Sequence, residues 1–174
     1  RAAVQALARF DFSRARDALR VALGDESSSV RIAAASVLGQ SNRPAAAEDL
    51  SRQMADEGAR VVSVALRSVG RQPSGQGLAR AAVESLFAPA LDREPLVALA
   101  SLEALIEVGG SAAGDLAVTA LKREEADVVR AAVACIGAHG DAEALLELLP
   151  LVAHDDWSVR AEVVQVLSDR SHRK

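Results

Sequence analysis

Hydrophobic residues return along this chain at the spacing of an amphipathic helix, and the pattern itself repeats. Between Val30 and Gly39 the apolar positions fall at i, i+4, i+7 and i+8, with small residues between them. This spacing places one apolar stripe along a helix. Related stretches end at positions 8, 39, 70, 109, 137 and 168, in steps of 31, 31, 39, 28 and 31 residues. The sequence therefore predicts a repeat that contains this helix and has room for another.

A first helix is predicted before each of these second helices. The expected first helices cover residues 13–23, a segment from Pro44, a segment holding Leu78, Ala82 and Leu86, residues 111–121, and residues 142–153. Polar links join the paired helices, and their Asp and Ser residues suit a helix N-terminus. The third unit is irregular, and we interpret its extra length as a loop insertion around residues 72–77, which are turn-forming.

A single helix pair cannot bury its apolar stripe, so the units are expected to stack. The predicted fold is all-α, with about five helix pairs plus a leading helix in one domain over residues 1–174. Composition agrees, because 37 Ala, 21 Leu and 20 Val accompany only 3 Phe, 1 Trp and no Tyr, and Ala and Leu favour helices. The abrupt start at Arg1, without a methionine, predicts a piece of a longer chain.

Charge and composition also narrow the choice of partners. The net charge is −4 and aromatic residues make up 2% of the chain, which disfavours nucleic-acid binding because phosphates need basic residues and bases need stacking partners. No apolar run reaches the roughly 18 residues of a membrane helix, so no membrane partner is expected. The single cysteine excludes an internal disulfide and favours a reducing, cytoplasmic location.

Particular residues of the repeat resemble the HEAT repeat family, especially the short bacterial repeats related to those of phycobilisome lyases. The residues that carry the resemblance are Asp25, Val30-Arg31, Ala33-Ala34 and Leu38-Gly39, with Asp156, Val159-Arg160 and Leu167 near the end. It extends over essentially the whole chain and implies a right-handed α-solenoid whose second helices line a concave face. It also implies a ladder of Asp and Arg between units, although Val62 replaces the arginine of the second unit.

Catalytic motifs are not found in the sequence. The three histidines, at 139, 154 and 172, are scattered and do not form a metal-binding pattern. Cys135 has no histidine at a helical spacing that would activate it, and is interpreted as a core residue. The glycine-rich run at 109–114 matches neither a phosphate-binding loop nor a nucleophile elbow. We therefore expect no catalytic residue, no metal and no cofactor.

A column of apolar residues on the second helices is the main candidate site. The column holds Val4, Ala35, Leu66, Leu105, Val133 and Val164, and the flanking positions add Ile32, Val62, Leu102, Ile106 and Val129. One interpretation is an apolar groove that binds a partner segment; the other is that these side chains fill the space between units. In the first interpretation the contacts are Val62, Leu66, Leu102, Leu105, Ile106 and Val133, with Arg31, Arg67, Arg130 and Arg160 at the rim.

The function that fits this pattern is a non-enzymatic scaffold or adaptor that binds another protein or a peptide segment. The resemblance implies an alternative, a bilin lyase-like subunit. A further alternative is a structural spacer that packs on the rest of its own chain. Trp157 begins the last second helix, and is interpreted either as an exposed anchor for a partner or as a cover for the last unit.

Overall fold

A computed structural model describes residues 2–41, 43–56, 58–71 and 80–171, and every regular element in these ranges is helical. In chain order the helices are α1 (Ala2–Ala6), α2 (Phe12–Leu23), α3 (Ser28–Gln40), α4 (Pro44–Ser51), α5 (Ala59–Arg71), α6 (Arg80–Leu91), α7 (Pro95–Val108), α8 (Ser111–Ala120), α9 (Ala126–His139), α10 (Ala142–Leu146) and α11 (Trp157–Ser171). Short 3-10 segments follow α1, α4 and α10, at Leu7–Arg9, Arg52–Ala55 and Leu149–Ala153. The predicted loop insertion at 72–77 and Leu78 lie outside the described residues, as does His172.

Local sequence explains where several of these helices begin. Asp11 accepts a hydrogen bond from the backbone N–H of Ser13 at 3.0 Å, and Asp141 accepts one from the N–H of Ala144 at 2.9 Å. Each bond satisfies an N–H group that the first turn leaves without a partner. Pro44 and Pro95 occupy the first helical position of α4 and α7, where a missing N–H costs nothing.

The helices stack in series, as the repeat predicts. Each second helix packs on the next, so that α3, α5, α7, α9 and α11 form a continuous row. The buried apolar side chains form one connected cluster that includes Leu19, Leu38, Phe87 and Ile136. The first helices α2 and α4 are also joined by the buried Asp49, whose carboxylate accepts a hydrogen bond from Arg16 Nε at 2.7 Å. The all-α solenoid is confirmed.

The register of the third unit differs from the prediction. The second helices begin at residues 28, 59, 95, 126 and 157, so the steps are 31, 36, 31 and 31 residues. The equivalent of Gly39 in α7 is therefore Ile106, whereas the prediction placed it at Gly109. Gly109 instead follows the end of α7 with a positive φ of 74°. The error arose because α7 is apolar on most of its surface, which leaves the 3.6-residue period without a clear phase.

The start of α11 makes a prediction about acid stability. Asp156 accepts hydrogen bonds from the backbone N–H and the hydroxyl of Ser158, at 2.8 and 2.6 Å, and these bonds lower the pKa of Asp156. A depressed pKa in the folded state stabilises the fold above the ordinary carboxyl pKa, and this contribution is lost as the pH falls through the folded value. We expect Asp156→Ala to lower the thermal midpoint at pH 7 but not in strong acid.

Asp155→Ala is the matched control, because the carboxylate of Asp155 is exposed, lies next to Asp156 in the sequence and does not cap α11. Its thermal midpoint should follow that of the native chain at every pH. A deficit in Asp156→Ala that is equally large at pH 7 and in strong acid would contradict the proposed role of the ionised carboxylate.

Candidate partner-binding surface

The predicted apolar column does not form an open groove. Val62, Leu66, Leu102, Leu105 and Val133 have 0% of their surface exposed, and Ala35 and Val129 are equally buried. The expectation that these positions are exposed is wrong, because each lies in the core or under the adjoining unit. In the observed register the equivalents of Ala35 are Leu66, Leu102, Val133 and Val164, and of these four only Val164 is exposed. Ile32 and Ile106 are half-buried.

The four predicted rim arginines have different surroundings. Arg31 is half-buried; its Nε lies 2.7 Å from Oδ2 of Asp56 in the next link, and its Nη1 donates to the carbonyls of Asp25 and Glu26. Arg160 donates from Nη1 in the same way, to the carbonyls of His154 and Asp155. Arg67 is also half-buried and pairs with Glu103, whereas Arg130 is exposed and its Nη2 lies 3.7 Å from Asp127.

Two arginines outside the predicted rim, Arg93 and Arg123, connect the links to one another. Arg93 donates to the carbonyl of Asp56 at 3.0 Å. Arg123 donates to the carbonyls of Leu91 and Arg93 at 2.7 and 2.9 Å, and pairs with Glu125. The Asp–Arg contact between units is therefore present at Arg31. At the equivalent positions of α5, α7 and α9 the residues are the apolar Val62, Ala98 and Val129, and backbone carbonyls accept from arginine instead.

The outward surface of the second helices, which we call the second-helix surface, is charged at its centre. Helix α5 presents Arg60, Arg67 and Arg71, and the adjoining α7 presents Glu103 and Glu107. The Arg67–Glu103 pair joins the two helices across this surface. Because the opposite charges lie side by side, this region resembles the polar rim of a binding surface more than its apolar centre.

A cleft opens on the second-helix surface where α7, α9 and α11 begin, and we call it the first-turn cleft. Its volume is about 420 Å³ and it is lined by Pro95, Leu96, Leu99, Glu125, Ala126, Asp127, Val128, Asp156 and Ser158. The apolar part is contributed mainly by Leu96, which is 42% exposed, and by half-buried Leu99. All the charged side chains that line it are carboxylates. This combination suits an apolar side chain flanked by cations.

Two of these carboxylates are held in the ionised form. Arg123 donates to Glu125 from Nε and Nη2, at 2.9 and 3.0 Å, and this pairing lowers the pKa of Glu125. The hydrogen bonds from Ser158 lower the pKa of Asp156 in the same direction. Asp127 is exposed at the first turn of α9. The cleft is therefore acidic chiefly at Asp156, because Glu125 pairs with Arg123 and Asp127 lies 3.7 Å from Nη2 of Arg130.

Other reactive groups lie away from this surface. Cys135 is completely buried, its thiol lies 3.6 Å from the carbonyl of Ala113, and burial raises its pKa to about 12. A thiol with that pKa carries almost no thiolate at neutral pH. Within the described ranges no group of three or more His, Cys, Asp or Glu residues is placed to hold a metal ion. No helix in the described part of the chain is long and apolar enough to cross a bilayer.

The cleft could have been found from the sequence only with the correct register. Leu96 is equivalent to Ser29, Arg60, Asp127 and Ser158 in the other second helices. A leucine at a position that is otherwise polar is a signal of an apolar surface site. The signal was missed because the predicted alignment, which matched Gly109 to Gly39, was shifted by three positions along α7.

Comparison with known proteins supports the repeat architecture. Residues 1–70 match the family described as HEAT repeats, which confirms the HEAT-type prediction for that segment. The fold is similar to a designed armadillo repeat protein in complex with the peptide (KR)4, with a TM-score of 0.65 and 17% identity over 95% of this chain and 89% of that one. It is also similar to an engineered protein, with a TM-score of 0.55 and 17% identity over 97% and 87% of the two chains. No curated protein sequence matches.

The comparisons establish a repeat-protein scaffold fold. Solenoids of this kind present extended surfaces that serve for binding.

Proposed function

We propose that this chain is a non-enzymatic scaffold that binds a segment of a partner protein along its second-helix surface. The observation that carries the proposal is the first-turn cleft, where apolar Leu96 and Leu99 lie beside three carboxylates. The cleft takes the place of the buried apolar column as the centre of the site. The charged surface of α5 and α7 forms its polar continuation.

The chemistry of the cleft defines the partner segment. Leu96 is accessible and can contact an apolar side chain, which gains by leaving water. Glu125, Asp127 and Asp156 surround that contact, so lysine or arginine on either side of the apolar residue would be favoured. The similarity to an armadillo protein that holds the (KR)4 peptide supports this choice, because that basic peptide binds a solenoid of related architecture.

Peptide binding tests the proposal directly. The probes are fluorescently labelled (KR)4, the same peptide with one central arginine replaced by leucine, and the acidic peptide (DE)4. Fluorescence anisotropy is expected to show the leucine-containing peptide binding most tightly, (KR)4 less tightly, and (DE)4 not at all. Affinity for both basic peptides should fall as salt is raised, since exposed charges are screened.

Two substitutions locate the binding site. Leu96→Ser places at this position the residue found at its equivalents Ser29 and Ser158, and should abolish the preference for the leucine-containing peptide. Asp127→Lys should weaken both basic peptides by about fivefold, the equivalent of about 1 kcal/mol. Asp17→Lys makes the same charge change on exposed α2, far along the array. Equal weakening by Asp127→Lys and Asp17→Lys would show nonspecific attraction and contradict the site.

A further inference from the structure

The last unit exposes a group of large apolar side chains. Trp157 is 72% exposed and Val164 is 59% exposed, and both lie on α11. Leu149 and Val152, in the 3-10 segment before it, are about half exposed. We call the surface formed by Trp157, Arg160, Val164, Leu149 and Val152 the end face.

Alignment of the units shows that the end face corresponds to the interface between units. In α3 the residues Arg31, Ala35 and Gly39 follow one another every four positions, so they share one face of the helix. Arg31 contacts the next link at Asp56, and a Cβ at Gly39 would meet Ser68 of α5. That face therefore points towards the following unit.

The equivalent face of every earlier second helix is covered. The equivalents of Val164 in α3, α5, α7 and α9 are Ala35, Leu66, Leu102 and Val133, and all are fully buried. At Val164 the residue is as apolar as at these four positions, but no unit in the structure lies over it. Solenoids normally need polar outer faces on their terminal units, whereas on the end face Arg160 is surrounded by the exposed apolar side chains of Trp157 and Val164.

Arg160 gives a second, independent indication. Its Nη1 is held by the carbonyls of His154 and Asp155, as Nη1 of Arg31 is held by those of Asp25 and Glu26. In Arg31 this arrangement directs Nε and Nη2 to the carboxylate of Asp56, at 2.7 and 3.3 Å. In the described part of the chain Nε and Nη2 of Arg160 have no acceptor. The guanidinium is thus positioned for a carboxylate in a following link.

We propose that the end face binds one further helix pair of the same repeat type, joined in series after α11, with an acidic residue in its link. Its second helix covers Trp157 and Val164, and its first helix covers Leu149 and Val152. The link carboxylate pairs with Arg160 as Asp56 pairs with Arg31. This inference is independent of the first-turn cleft.

A tandem chain tests this proposal. In the tandem chain, a second copy of residues 108–138 follows Asp169 in place of residues 170–174, which keeps the observed register of 31 residues. In that copy, Val129→Lys and Val133→Gln give the added unit a polar outer face. This unit is suitable because α11, like α7, has a side chain at the position equivalent to Gly39. In the native chain α9 already packs on α7, where that side chain is Ile106. One version has Arg123→Asp in the copy, opposite Arg160, and the matched control keeps Arg123 there.

Trp157 is the only tryptophan, so its fluorescence reports directly on the end face. We expect the Asp version to shift the emission of Trp157 to shorter wavelength, to reduce its quenching by acrylamide, and to raise the thermal midpoint above that of the native chain. The control version should show a smaller rise, because like charges then face each other. Unchanged emission together with separate unfolding of the added unit would overturn the proposal.

Two measurements on the native chain keep the proposal testable if the tandem chain does not fold. Hydrogen exchange is expected to be faster in α11 than in α9, because one side of α11 is uncovered; equal protection would contradict the proposal. Sedimentation should give a monomer whose Trp157 emission is independent of concentration. Concentration-dependent burial of Trp157 would assign the end face to a second copy of this chain and overturn the proposal.

Discussion

Leu66→Glu is expected to unfold the chain at neutral pH. Leu66 has no exposed surface, so a glutamate there loses about 2 kcal/mol of apolar burial and places an unpaired carboxylate in the core, at a cost of several kcal/mol more. That loss is comparable to the whole stability of an ordinary domain, about 5–15 kcal/mol. Circular dichroism at 222 nm should show loss of most of the helical signal.

Val164→Glu is the matched control, because position 164 is equivalent to position 66 but is exposed. The same substitution should leave the helical signal intact and change the thermal midpoint little, since exposed substitutions usually change stability by less than about 0.5 kcal/mol. A folded Leu66→Glu variant with a near-native midpoint would mean that the apolar column is accessible after all.

Gly70→Ala is expected to have the second-largest effect. A Cβ at Gly70 would lie 2.8 Å from Cα and 2.9 Å from the carbonyl oxygen of Ala104 in α7. These are backbone atoms, so relief requires α5 and α7 to move apart along a contact that is buried on both sides. We expect a loss of about 1–3 kcal/mol, even though alanine favours a helix over glycine by about 1 kcal/mol. Urea unfolding followed by circular dichroism measures the loss.

Gly24→Ala is the control for this effect. A Cβ at Gly24 would have its nearest neighbour, the carbonyl oxygen of Val21, at 3.6 Å, which is an ordinary contact. Its free energy of unfolding should stay within about 0.5 kcal/mol of the native value. If both glycine variants lost the same stability, the close approach of α5 and α7 would not be the cause.

The helices and their stacking could be predicted because they depend on local signals. The apolar period identifies second helices, and residues such as Asp11, Asp141 and Pro95 mark where helices begin. Stacking of the units could be predicted because one helix pair cannot bury its whole apolar stripe. The register of α7 could not be predicted because a second alignment, shifted by three positions, also fits the apolar pattern. In that alignment Ala100 matches Val30 and Val108 matches Leu38.

Exposure of the column could not be decided from the sequence for a different reason. The period gives the direction of a side chain about its own helix axis, but not whether a neighbouring unit covers it. An open groove and an interface between units occupy adjacent sectors of the same helix, so Leu66 and Val133 fit either interpretation. The contacts of Arg93 and Arg123 with distant carbonyls depend on how the links are brought together, and no sequence spacing encodes that arrangement.

Gly39, Gly70 and Gly137 share one position of their helices, but α7 has Ile106 there. The helix that faces each one differs as well: a Cβ at Gly39 would meet Ser68, one at Gly70 would meet Ala104, and one at Gly137 would meet Val166. Each junction is thus fitted to its own pair of neighbours, and the units are not interchangeable modules. Exchanging the units of α5 and α7 would put Ile106 where Gly70 now admits Ala104, so the order of these two units is encoded in their junctions.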